Sequence, residues 1–294
     1  MKLDLKGSIV ALVTPFQEDG RVDFDKLKEL LEWHVANQTD GILVLGTTGE
    51  SSTMSHEEDD AVVEFTLKTI HKRIPVIVGS GSNCTQTAID KSLEYERMGA
   101  DALLVISPYY NKATTKGMIA HFTAVADAVH TPIIMYNIPG RTGCSISEEA
   151  VKVLSQHPNI YGIKEASGNL SYTVSVARYV NENFRMYSGN DDMIVPLLSL
   201  GASGVISVLA NVMPNETHEM VQSYFDGDVK TACKMQLDLL DVIHALFMEV
   251  NPIPVKEALN MIGKQVGGYR LPLCEMTQEH KDQLYAVLKE AGLC

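Results

Sequence analysis

Eight short, near-continuous apolar runs rich in β-branched residues constrain this chain more than any other feature. They cover residues 8–13, 41–45, 75–78, 102–106, 132–136, 160–164, 185–188 and 204–209. Their spacing, about 20 to 35 residues, is the length of one βα unit. None shows the in/out alternation of a half-exposed antiparallel sheet, so each reads as a parallel strand buried on both faces. Helix-period segments fill the intervals, at 24–37, 57–71, 85–98, 116–129, 148–157 and 172–183. Strand and helix in strict alternation predict an α/β fold, a closed (β/α)8 TIM barrel.

Local punctuation agrees with that reading. Ser55 followed three residues later by Glu58 is a capping box, Ser147 precedes Glu148-Glu149, and Gly99 closes the third helix. After residue 209 the rhythm changes to helical segments alone, at 214–224, 229–248, 255–262 and 277–291. The first completes the barrel. The chain is therefore expected to divide into a barrel over 1–225, carrying the active site, and a C-terminal helical extension over 226–294. Breaks in the extension fall at Asn251-Pro252, Gly267-Gly268 and Pro272.

Charge narrows the function classes. A formal net charge of -13 gives no basic stripe with which to neutralise phosphates, so nucleic acid and anionic membranes are not expected partners. The first six residues interleave charges with apolar side chains and hold no signal-peptide core, and no stretch is long enough to span a bilayer, so a cytoplasmic protein is expected. Five scattered cysteines without C-x-x-C pairing suit reduced thiols. The acidic run Glu57-Glu58-Asp59-Asp60 sits where first-turn carboxylates complement a helix dipole, so no metal is implied. Gly79-Ser80-Gly81-Ser82-Asn83-Cys84 places a cysteine where a dinucleotide fingerprint has its third glycine, and no cofactor is expected.

In barrels of this kind, chemistry sits at the C-terminal ends of the strands. The sixth run places Lys164 inside an apolar strand, where an ammonium is expensive to desolvate. Burial lowers an amine's pKa and supplies the neutral nucleophile needed to form an imine. From position alone, a structural lysine that pairs with Glu165 or caps a helix end is equally open. The second strand ends in Gly46-Thr47-Thr48-Gly49-Glu50, a turn offering hydroxyls and backbone N–H groups to a carboxylate or oxyanion. The fourth ends in Ser107-Pro108-Tyr109-Tyr110-Asn111 and the fifth in Tyr136-Asn137-Ile138-Pro139-Gly140-Arg141-Thr142-Gly143.

The segments 46–50, 136–143 and 162–168 closely resemble three signature segments of the dihydrodipicolinate synthase and N-acetylneuraminate lyase superfamily. The resemblance covers nearly the whole chain, with strands, motifs and extension in the same order. It implies that Lys164 forms a Schiff base with pyruvate, that Tyr136 shuttles protons, and that Thr47 and Tyr110 complete the relay. It also implies that Tyr110 comes from a neighbouring subunit of a homotetramer, a dimer of dimers. Backbone N–H groups of Thr47 and Thr48 would hold the pyruvate carboxylate, and the carbonyls of Gly189 and Ile206 would support the imine. Arg141 resembles the synthase arginine that meets the carboxylate of aspartate semialdehyde, a match for a guanidinium fork. The expected product is 4-hydroxy-tetrahydrodipicolinate; a sister aldolase that cleaves N-acetylneuraminate or a 2-keto-3-deoxy sugar acid is the alternative. An allosteric lysine site would use Ser51, His56, Asn83 and Tyr109. Asp59 and Thr87 stand where lysine-inhibited relatives have a histidine and a glutamate, so weak or absent feedback is expected.

Overall fold

The computed structural model describes residues 3–294. Eight parallel strands close into a barrel in sequence order: β1 (Gly7–Ala11), β2 (Gly41–Val44), β3 (Val76–Gly79), β4 (Ala102–Ile106), β5 (Ile133–Asn137), β6 (Ile160–Glu165), β7 (Arg185–Ser188) and β8 (Gly204–Ser207). β1 pairs with β8 to complete the ring. Gly204 makes that seam possible: a Cβ there would lie 1.9 Å from the Gly7 carbonyl oxygen.

Because successive residues of a strand face opposite sides, each run feeds two cores. Ile9, Ala11, Leu43, Ile77, Leu104 and Ile134 fill the interior of the barrel. Val10, Ile42, Val44, Val78, Leu103 and Val105 face outward, into the layer between sheet and helices. This is why the strands read as unbroken apolar sequence. Leu5 stoppers the N-terminal end of the barrel: its N–H donates to the Tyr161 hydroxyl at 3.1 Å, and its carbonyl accepts from Tyr187 Oη at 2.8 Å.

The helices follow as α1 (Phe24–Ala36), α2 (His56–Ile70), α3 (Thr85–Met98), α4 (Thr115–Ala128), α5 (Pro139–Thr142), α6 (Glu148–Leu154), α7 (Leu170–Ala177), α8 (Ile194–Ser199), α9 (Pro214–Phe225), α10 (Val229–Asp238), α11 (Leu240–Ala245), α12 (Ile253–Met261) and α13 (Gln278–Glu290). The anticipated caps are in place. Ser55 Oγ accepts from Glu58 N while Glu58 Oε2 accepts from Ser55 N, Ser147 Oγ accepts from Ala150 N, and Gly99 closes α3 in the left-handed region.

Three expectations differ from what is found. The single helix foreseen over 229–248 is two, because Leu239 turns to φ −90°, ψ −1° and lets α10 pack on α9 while α11 packs on α13. The helix foreseen over 172–183 runs from Leu170 to Ala177, starting behind an Asn169 cap. The short helices α5 and α8 were not foreseen, since four and six residues are too few to display a period. The apolar runs at 8–13 and 204–209 also outlast their strands. Val13 N donates to Asn211 Oδ1 at 3.1 Å, and Leu209 begins a 3₁₀ turn. No helix among the described residues is long and apolar enough to cross a membrane.

Candidate active site

Lys164 lies one residue from the C-terminal end of β6, and parallel pairing sets it level with Tyr136 on β5 and Tyr187 on β7. Its side chain points into the barrel, with Nζ 4.5 Å from the centroid of the Tyr136 ring. The alternative partnership with Glu165 does not form. Glu165 faces the other side of the strand, where it accepts from Asn137 Nδ2 at 2.7 Å, from Ser167 N at 2.8 Å and from the Ser167 hydroxyl. Burial pulls the Lys164 amine down to about 8, with the buried Asp191 carboxylate opposing and Arg141 adding to the shift. Burial likewise pushes the Tyr136 phenol up to about 12, against the pull of Arg141 and of the Thr47 hydroxyl.

One cavity at the C-terminal mouth of the barrel is lined by six of the residues singled out from the sequence: Thr47, Thr48, Tyr136, Arg141, Lys164 and Gly189. Gly189 is there for space. A methyl group at this position would lie 3.0 Å from Lys164 Cε and 2.7 Å from Ala166 Cβ, so any side chain would displace the lysine stem. Ile206 belongs to the barrel interior, and Val208, two residues further on, lines the cavity instead. Tyr110 is 91% exposed, on left-handed backbone at φ +67°, and is not part of this chain's own cavity.

Behind and around the cavity lie residues that the sequence did not single out. Asp191 Oδ2 accepts from Val208 N and Leu209 N, both at 2.9 Å, which fixes the turn after β8. As a polar residue just past a strand end, it fits the same rule that singled out Lys164. Phe247 and Asn251 reach the cavity from the link between α11 and α12. Asn251 works from both ends: its Nδ2 donates to Thr48 Oγ1 at 2.9 Å, and its carbonyl accepts from Arg141 Nη2 at 2.9 Å. In sequence, only the helix break at Asn251-Pro252 marked the place.

Of the four residues assigned to an allosteric site, Ser51 and Tyr109 line a second cavity that shares Thr47 and Tyr136 with the first. His56 lines a neighbouring cleft with Asp60 and Thr87. The Asn83 carbonyl accepts from Asn111 Nδ2 at 3.0 Å. Lys91 borders both hollows and donates to the buried Asp59 carboxylate at 2.9 Å. Burial raises the Asp59 pKa, and Lys91 opposes the rise.

A closed parallel barrel with a buried interior lysine beside a tyrosine, and the Thr47-Thr48 turn at its mouth, holds the groups that imine chemistry requires. Residues 4–291 match the model of the dihydrodipicolinate synthetase family, and the chain belongs to that family. A 4-hydroxy-tetrahydrodipicolinate synthase 1 of Clostridium acetobutylicum is 51% identical over 288 residues, covering 98% of both chains. The crystal structure of dihydrodipicolinate synthase from Aquifex aeolicus superposes with a TM-score of 0.95 at 45% identity, covering 98% of each. A Cyanidioschyzon merolae relative with lysine bound gives a TM-score of 0.95 at 38% identity over 99% of both.

Proposed function

We propose that the protein condenses pyruvate with L-aspartate-4-semialdehyde to 4-hydroxy-tetrahydrodipicolinate, with Lys164 as the Schiff-base lysine. The observation that carries this is the Lys164 amine itself, buried in the barrel beside Tyr136, in no ion pair among the described residues, with its pKa pulled down to about 8. The neutral amine adds to C2 of pyruvate, and loss of water leaves an iminium that acidifies the methyl group. Tyr136, with Thr47 and a Tyr110 from a neighbouring copy, moves the protons of these steps. The resulting enamine attacks the aldehyde carbon of the second substrate. That substrate's amino group then displaces Lys164 from C2, closing the ring and freeing the enzyme.

Thr47 and Thr48 at the Gly46–Glu50 turn hold the pyruvate carboxylate, and Arg141 at the mouth meets the carboxylate of the semialdehyde. In this reading, 1–225 supplies the barrel with its catalytic lysine, and 226–294 covers the mouth through Phe247 and Asn251. At least two copies assemble, and four complete the expected dimer of dimers.

Condensation followed through an NADPH-coupled reductase tests the proposal, with N-acetylneuraminate cleavage run in parallel. Turnover is expected with pyruvate and the semialdehyde, and Lys164→Ala should lower it by at least about four orders of magnitude. Sugar-acid cleavage without condensation would make the enzyme a sister aldolase.

A further inference from the structure

The turn that carries Thr47 and Thr48 is bounded by two left-handed non-glycine residues, Leu45 at φ +56° and Glu50 at φ +55°. Such backbone persists only where its surroundings impose it. Here the constraint comes from the far end of the chain. Glu50 Oε1 accepts from Lys256 Nζ of α12 at 2.8 Å, an ion pair whose two side chains are both 0% exposed. Lys256 Nζ also lies 4.2 Å from the centroid of the Phe16 ring. Just ahead of α12, Asn251 holds Thr48 through its side chain and Arg141 through its carbonyl.

A fully buried ion pair is a poor device for stability alone, since its desolvation penalty rivals its attraction and an apolar pair of similar volume often serves as well. We propose that Glu50 and Lys256 are positioning residues, and that the segment 251–256 is a clamp that sets both substrate-carboxylate grips against Lys164. Breaking the ion pair frees the turn to relax from its left-handed ends. The Thr47 hydroxyl then leaves Tyr136, and the Thr48 N–H leaves the carboxylate. Lys164 and Tyr136, on their own strands, stay where they are.

The inference rests on the proposed pyruvate chemistry, and the test separates the two. Wild type, Glu50→Gln and the double variant Glu50→Gln/Lys256→Met are compared by thermal midpoint, by KM and kcat, and by the rate at which borohydride traps pyruvate on Lys164. The double variant removes both charges at nearly constant volume, so no unpaired charge is left buried. A merely structural pair predicts that the double variant recovers both wild-type stability and wild-type kinetics. The clamp predicts recovered stability, with KM for pyruvate raised about tenfold and trapping slowed to match. Native KM and trapping rate in a folded double variant would overturn the clamp. So would a failure of both variants to fold, which would make the pair a stability element. Absence of trapping in the wild type would instead strike the proposed function.

Discussion

A lysine ammonium sealed inside a barrel has two ways out, a carboxylate partner or the loss of its proton. With Glu165 committed to Asn137 and Ser167, Lys164 is pushed toward the second, its pKa lowered to about 8. The sign of the pH response follows. Its folded value of about 8 lies below the ordinary lysine value, so burial of the protonated form opposes folding most at low pH, and that penalty is relieved as pH rises. The nucleophilic fraction moves the same way, falling about tenfold for each unit below about pH 8. Borohydride trapping of pyruvate should therefore accelerate from about pH 6 to about pH 8 and level off above that. A flat profile across this range would show that the amine is not held near neutrality. Gly189 makes the complementary point, since what it contributes to the lysine is the absence of a Cβ.

Between elements, the pairing of α2 with α3 through Asp59 and Lys91 bears on feedback. The Lys91 ammonium pairs with the buried Asp59 carboxylate and borders both hollows, while Asp60, Asp90 and Glu94 also line the cleft. The expectation of weak feedback rests on Asp59 and Thr87, which stand where lysine-inhibited relatives carry a histidine and a glutamate. We expect lysine at about millimolar concentration to leave steady-state turnover nearly unchanged, because inhibition needs a ligand that binds one state better than the other. Strong inhibition well below that concentration would contradict the expectation. The elements themselves were legible where a pattern had length to repeat, as in the eight strands and in α3, which matches its expected bounds at Thr85 and Met98. Four-residue α5 had none, although its Pro139 and Gly143 mark both ends. Lys164 and Tyr136 were readable because a polar group ending an apolar strand breaks the pattern. Asn251 and Lys256 were not, because what gives them meaning is a contact across the whole chain.

At the scale of the molecule, Tyr110 stands outside its own chain's cavity. A large aromatic side chain presented at 91% exposure on left-handed backbone fits a side chain delivered elsewhere, into a neighbouring copy. If the proton relay is completed that way, activity belongs to the assembly. Specific activity should fall on dilution in step with dissociation measured by sedimentation, and Tyr110→Phe should lower kcat by about a hundredfold while leaving the assembly intact. A fully active monomer would refute it.

The clamp also orders events in time. Glu50 and Lys256 are 206 residues apart, and Asn251 and Thr48 are 203 apart. During synthesis the turn at Gly46–Glu50 emerges before β8, the strand that seals β1, and before Asn251 and Lys256, which hold the turn. Contacts of such long sequence separation form late and leave apolar edges open meanwhile. A nascent chain that has just released α9 already holds all eight strands, but it has nothing with which to hold Glu50 or Thr48. The clamp therefore closes only after residue 256 has been made, later than every strand of the barrel.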